Sequence, residues 1–206
     1  MKETKHYHSE GTILFLTNNK NTYDLYLWLQ NRGEKVVLFE DKLDLDIVRK
    51  IAPVLIISYN YSFIIRQEVI DYMNRRIINL HISYLPWNRG SNPNYWSFIE
   101  NTPKGVTIHL IDSGLDTGDI LLQEKVDFVE EQETFQSSYE KLTMTMMNLF
   151  MEHWEDIKNN RIIPRKQLGT GSSHNMKNFR ELTEMYPVEW QFNIAEYKSK
   201  IRNAIT

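Results

Sequence analysis

The chain has 206 residues, 41% of them hydrophobic and 12% aromatic, enough to enclose one well-packed core and too apolar for a disordered segment. Its 24 Lys plus Arg against 27 Asp plus Glu leave a formal charge of -3, so no global basic field marks it as a binder of nucleic acid. It has no Cys, which excludes disulfide staples, thiol nucleophiles and Cys-ligated zinc.

The first residues, MKETKHYHSEG, are polar and lack the apolar centre of a signal peptide, and no apolar run approaches the ~20 residues of a membrane span. A cytoplasmic protein with no membrane attachment is expected. His6 and His8 are read as part of a solvated extension and not as a metal pair. Residues 12–16 form a short apolar run, followed by TNNKN and an apolar-periodic segment, 23–30, that Gly33 would end. This is strand, loop, helix. Residues 35–39 (KVVLF) are strand-like again, 44–51 helical and stopped before Pro53, and 54–58 (VLIIS) a third strand.

A helix over 66–73 and a fourth strand over 77–81 follow. Short apolar runs alternating with helices predict parallel strands covered on both faces. Beyond them come a short helix at 94–100 and strands at 106–112 and 120–127. Residues 134–159 read as one long helix, with Leu142, Met146, Leu149, Phe150, His153 and Trp154 on one face as core packing. The remainder is polar and irregular until a closing amphipathic helix at 194–204.

In open α/β sheets, ligands bind beyond the carboxyl ends of the strands. Asn79 and His81 sit at such an end, two residues apart, so both project to one face while Leu80 turns into the packing. After a later strand, DSGLDTGD places Gly114 and Gly118 around Asp116 and can bring a carboxylate to the same crevice. Taken alone, Asn-x-His is also the pattern of a capped turn with a surface imidazole, and DSGLDTGD that of an acidic loop or an imperfect calcium loop. Together, without Cys or a nucleophile-elbow glycine pattern, they point to proton transfer and oxyanion chemistry with no covalent intermediate. His109 is read as packed or partnered locally, His153 as structural, and His174 as a surface-loop residue, with a role beside the site as the alternative.

The strand end NLHISYLP together with GVTIHLIDSGLDTGDILLQ strongly resembles the folate-dependent formyltransferases, the family of glycinamide ribonucleotide transformylase, methionyl-tRNA formyltransferase and the nucleotide-sugar N-formyltransferases. The resemblance implies a doubly wound, mostly parallel sheet with helices on both faces. It implies a catalytic domain over 1–160 and an extension over 161–206 that ends in a helix. Asn79, His81 and Asp116 fall on the family's catalytic Asn, His and Asp. The loops carrying Ser58, Tyr59, Asn60, Tyr61 and Ile65, and Asp112, Gly114 and Leu115, resemble those that enclose the pterin of 10-formyltetrahydrofolate. The implied reaction moves the formyl group to a primary amine without a metal. Asn79 and a protonated His81 would donate to the oxyanion, and Asp116 would hold His81 and relay the proton.

The acceptor is narrowed the same way. Methionyl-tRNA formyltransferases add a barrel and a basic surface, and glycinamide ribonucleotide transformylase carries a Gly-rich phosphate loop after its first strand, where this chain has TNNKNTYDL. LPWNRGSNPNYWSFIENTPKG resembles the nucleotide-sugar members, which places Trp87, Gly90, Asn92, Asn94 and Trp96 beside the acceptor, although Tyr95, Trp96 and Phe98 can equally pack the helix onto the sheet. The expected substrates are folate and a nucleotide-linked amino sugar destined for a surface polysaccharide. A formyltetrahydrofolate hydrolase would carry a regulatory domain ahead of the first strand, and a non-catalytic folate-binding paralogue would not be expected to keep all three polar residues. The closing KIRNAIT resembles a segment that leads into a further element, so either the chain is a minimal version or a homodimer completes the substrate-gripping surface.

Overall fold

The computed structural model describes residues 11–205. Four apolar runs become parallel strands: β1 (Ile13–Leu16), β2 (Val36–Phe39), β3 (Leu55–Tyr59) and β4 (Ile77–His81). A two-residue strand, β5 (Arg89–Gly90), precedes β6 (Gly105–Leu110) and β7 (Ile120–Lys125), which extend the sheet in antiparallel fashion. The order is β2-β1-β3-β4-β6-β7. The expected mostly parallel, doubly wound architecture is therefore present, with an antiparallel edge.

Helices α1 (Tyr23–Asn31), α2 (Leu45–Ile51) and α3 (Gln67–Met73) connect the parallel strands. Alternation along each strand assigns the two faces. Ile13, Phe15, Leu55, Ile57, Ile78 and Leu80 point one way, where α1, α5 (Phe135–Glu152) and α6 (Trp154–Lys158) cover them. Leu14, Leu16, Ile56 and Ile77 point the other way, against Val48 of α2 and Val69 of α3. Beyond that second cluster, the same face carries polar residues on β3, β4 and β6, and the crevice opens there.

Several boundaries follow from local chemistry. Asp44 accepts from the Ile47 amide at 2.9 Å and so starts α2, and Gly33, at φ +82°, closes α1. The single helix expected over 134–159 is instead two, because His153 (φ -102°, ψ 12°) leaves the helical region between α5 and α6. A helix that the irregular reading of the C-terminal part did not include, α7 (Met176–Met185), is capped by Asn175. It packs with α4 (Pro93–Ile99) and α8 (Ile194–Ile205) around a third apolar cluster containing Tyr95, Phe135, Ile194 and Tyr197. Among the described residues no helix is long and apolar enough to cross a membrane.

Candidate active site

Period-two alternation sends Asn79 and His81 to the polar face, and the pairings of β4 decide what meets them. Asn79 lies opposite Ser58 on β3 and opposite His109 on β6, so an amide and two imidazoles share one patch of sheet. The loop after β6 then folds back over it. Asp116 adopts a left-handed backbone (φ +51°) that turns its carboxylate inward, and Gly118 lies so close to the Leu110 carbonyl that a Cβ would come within 1.7 Å of it.

The carboxylate is the hub. Asp116 Oδ1 accepts from Asn79 Nδ2 at 3.1 Å and lies 3.4 Å from His109 Nε2. Oδ2 accepts from the Gly90 amide at 2.8 Å and lies 3.7 Å from His81 Nδ1. His81 Nε2 sits 3.1 Å from the Asn88 carbonyl, an acceptor only, so that nitrogen carries a proton and Nδ1 is the ring atom turned toward Asp116. His109 is oriented similarly, its Nδ1 being 2.8 Å from the Leu110 carbonyl and its Nε2 3.3 Å from Asn79 Nδ2.

Burial pushes the His81 pKa down, the Asp116 charge opposing it only in part. Burial alone would push the Asp116 carboxyl up, but the His81 and His109 rings and the Gly90 amide outweigh it and hold the carboxyl well below its usual range. These shifts pull against each other, since a neutral His81 lends Asp116 little. An ionised Asp116 stands in either case, because Asn79 and Gly90 serve both its oxygens whatever the rings carry. Against the protonated His81 expected from the sequence, burial works toward the neutral ring, and the Asp116 carboxylate 3.7 Å from Nδ1 is the group that favours its charge.

A cavity of about 1200 Å³ opens over the cluster. It is lined by Ser58, Asn60, Tyr61, Ile65, Asp112, Gly114 and Leu115, seven of the eight residues named in those loops. Tyr59 is the exception: it is fully buried in the cluster beneath the opposite face of the sheet. Gly90, Asn92 and Asn94 line it too. Gly90 (φ +90°) is obligatory, since a Cβ would come within 2.2 Å of the His174 carbonyl. Asn94 keeps its amide nitrogen for the Phe135 carbonyl and Ser138 Oγ, both at 3.1 Å, so that group holds α4 to α5. Trp96 is 7% exposed and stacks on His174 with centroids 4.0 Å apart, and neither it nor Trp87 lines the cavity. The packing alternative for Trp96 therefore prevails, and His174, expected in a surface loop, is half-buried beneath it.

Residues without an expected role complete the walls. His109 belongs to the cluster itself, and Tyr139, Met176, Phe179 and Trp190 also line the cavity, with Tyr139 accepting from Asn60 Nδ2 at 3.2 Å and packing on Trp190. Among the described residues no group of His, Asp and Glu could hold a metal ion.

The formyl transferase family model matches residues 11–153. Methionyl-tRNA formyltransferase from Caldanaerobacter subterraneus subsp. tengcongensis is 32% identical over 121 residues, 58% of this chain but only 39% of that protein. The chain thus spans about two fifths of that relative's length. The dTDP-4-amino-4,6-dideoxyglucose formyltransferase of Mycobacterium bovis is 27% identical over 186 residues, 84% of this chain and 78% of its own. Among solved structures, the formyltransferase PseJ from Anoxybacillus kamchatkensis, in complex with UDP-4,6-dideoxy-4-formamido-L-AltNAc and tetrahydrofolate, is 40% identical with a TM-score of 0.83, covering 91% of this chain and 97% of that one.

Proposed function

The chain belongs to the formyl transferase family, and from that premise we propose that it moves the formyl group of 10-formyltetrahydrofolate onto the primary amine of a nucleotide-linked amino sugar. The observation that carries this reading is that Asn79, His81, His109 and Asp116 line a single cavity of about 1200 Å³, with room for two substrates to meet over the Asp116 hub. The PseJ complex, matched over nearly its whole length, favours a UDP-linked 4-amino-4,6-dideoxy sugar as the acceptor.

Ser58, Asn60, Tyr61, Ile65, Asp112, Gly114 and Leu115 hold the folate. Gly90, Asn92, Asn94 and Phe179 border the acceptor. The neutral amine attacks the formyl carbon, and negative charge develops on the formyl oxygen. Asn79 is the donor for that oxygen, releasing one of the two N–H bonds it gives at rest to Asp116 and His109. His81 Nδ1 takes the proton from the amine, and Asp116 Oδ2, 3.7 Å away, stabilises the imidazolium that results. The same nitrogen then returns the proton to the departing folate nitrogen. The enzyme acts in the cytoplasm on small molecules, not nucleic acid, and light scattering reads whether it does so as a homodimer.

The test is a parallel assay with 10-formyltetrahydrofolate and, separately, a UDP-linked 4-amino sugar, a dTDP-linked 4-amino sugar, glycinamide ribonucleotide and no amine. Tetrahydrofolate release should require an amine and be fastest with the UDP-sugar. Preference for glycinamide ribonucleotide removes the sugar, and equal release without amine makes the protein a hydrolase.

A further inference from the structure

Residues 165–174 run behind the Asp116 loop and β5 and touch the backbone groups that hold the cluster. The segment starts on the sheet, where Arg165 and Ile120 exchange backbone hydrogen bonds at 2.8 and 2.9 Å. Two residues on, Gln167 Nε2 donates to the Asp116 and Gly118 carbonyls, both at 2.8 Å. Its Oε1 accepts from Arg89 Nε at 3.1 Å and from Nη2 at 2.7 Å. At the far end, β8 (Ser173–His174) lies parallel to β5, and the Ser172 and His174 carbonyls accept from the Arg89 and Ser91 amides at 2.9 and 2.8 Å. Ser172 Oγ also accepts from the Asn88 amide at 3.0 Å.

Each contact bears on a group that in turn holds the cluster. Asn88 offers its carbonyl to His81, and Gly90 offers its amide to Asp116. Asp116 must stay left-handed, a conformation that side-chain-bearing residues rarely adopt unless neighbouring bonds hold them there. Gln167 supplies those bonds and ties them to the β5 side through Arg89. The residue type follows: an NH2 group spans two carbonyls while the amide oxygen takes a guanidinium. Glu would set an acceptor against acceptors, and Asn is one methylene short.

We propose that Gln167 is a positioning residue for formyl transfer, fixing the Asp116 turn against β5 and with it the placement of the carboxylate relative to the Gly90 amide and His81. This rests on the reading of the cluster as the formyl-transfer centre. Gln167 touches no substrate, so its loss lowers the rate of the chemical step and spares binding.

Gln167→Glu keeps the shape and the Arg89 contacts, and Gln167→Ala removes both sets of bonds. Each should lower kcat by about 10- to 100-fold and leave KM for folate and amine within about threefold. In the substrate-free protein, Gly90 amide hydrogen exchange should quicken by about tenfold or more, with the Ile57 and Leu14 amides in the core strands unchanged. Arg89→Ala should resemble Gln167→Ala, and the double variant should be no worse than either alone. Unchanged kcat in Gln167→Glu, a KM rise at constant kcat, additive losses, or unaltered Gly90 exchange would each overturn the proposal. A wild-type protein inactive toward every amine sinks the functional reading instead, and the exchange measurement still decides the role of Gln167.

Discussion

His81 has one nitrogen committed to the Asn88 carbonyl and the other facing a carboxylate, an arrangement suited to taking up a single proton at a known atom. Replacing His81 by Ala, or Asp116 by Asn, should reduce kcat by about 10²-fold or more with the fold retained, because both groups act on transition-state charge and proton transfer. Circular dichroism beside steady-state kinetics checks this, and near-normal turnover of His81→Ala would remove the ring from the mechanism. The pH dependence has a definite sign. A depressed imidazole pKa means that the unfolded chain binds the proton more readily than the folded one. His81 therefore contributes stability that is fully present above its ordinary value of 6.5 and is lost as the pH falls through its folded value. Asp116, also depressed, adds a second loss that begins only below 3.8. The thermal midpoint should fall from pH 6.5 downward, and His81→Asn should flatten that first slope.

Elements differ in how plainly they announce themselves. The parallel strands were legible as short apolar runs, and the common face of Asn79 and His81 followed from period-two alternation alone. His109 was not, because its membership depends on an antiparallel register, Asn79 opposite His109, that no local pattern encodes. Likewise Trp96 and Asn94 carry side chains suited to a sugar, and only the packing of α4 against α5 and His174 shows that they are used internally. Helix α7 does carry a local signal: Asn175 as a cap, then Met176, Phe179, Leu182 and Met185 at three-residue spacing. Its glycine-rich approach masked it. At the end of α2, Ala52 sits left-handed at φ +49° just before Pro53, where the helix has no room to continue. Ala52→Gly should therefore stabilise the protein by about 1 kcal/mol, the steric relief exceeding the entropy glycine adds to the unfolded chain. Urea unfolding would show it as a higher midpoint at unchanged slope.

At the scale of the whole molecule, a boundary near residue 160 divides the sequence more cleanly than it divides the packing. Tyr95, Trp96, Phe98 and Phe135 lie before it, while Ile194, Tyr197 and Ile201 lie after it, and together they make one apolar cluster. Polar contacts cross as well: Tyr197 and Tyr95 join their hydroxyls at 3.0 Å, and Lys198 Nζ reaches Asn101 Oδ1 at 2.6 Å and Glu130 Oε2 at 2.5 Å. Burying each large apolar side chain of α8 contributes about 1.5–3 kcal/mol. Three of them approach the whole net stability of an ordinary domain, about 5–15 kcal/mol. The wall of the cavity formed by Phe179 depends on the same cluster. A chain shortened to residues 1–160 should therefore lose its cooperative thermal transition, bind a hydrophobic dye, and transfer no formyl group. If it instead unfolded in one sharp step and kept its turnover, the C-terminal part would be an appendage, and the acceptor site would have to be drawn without it.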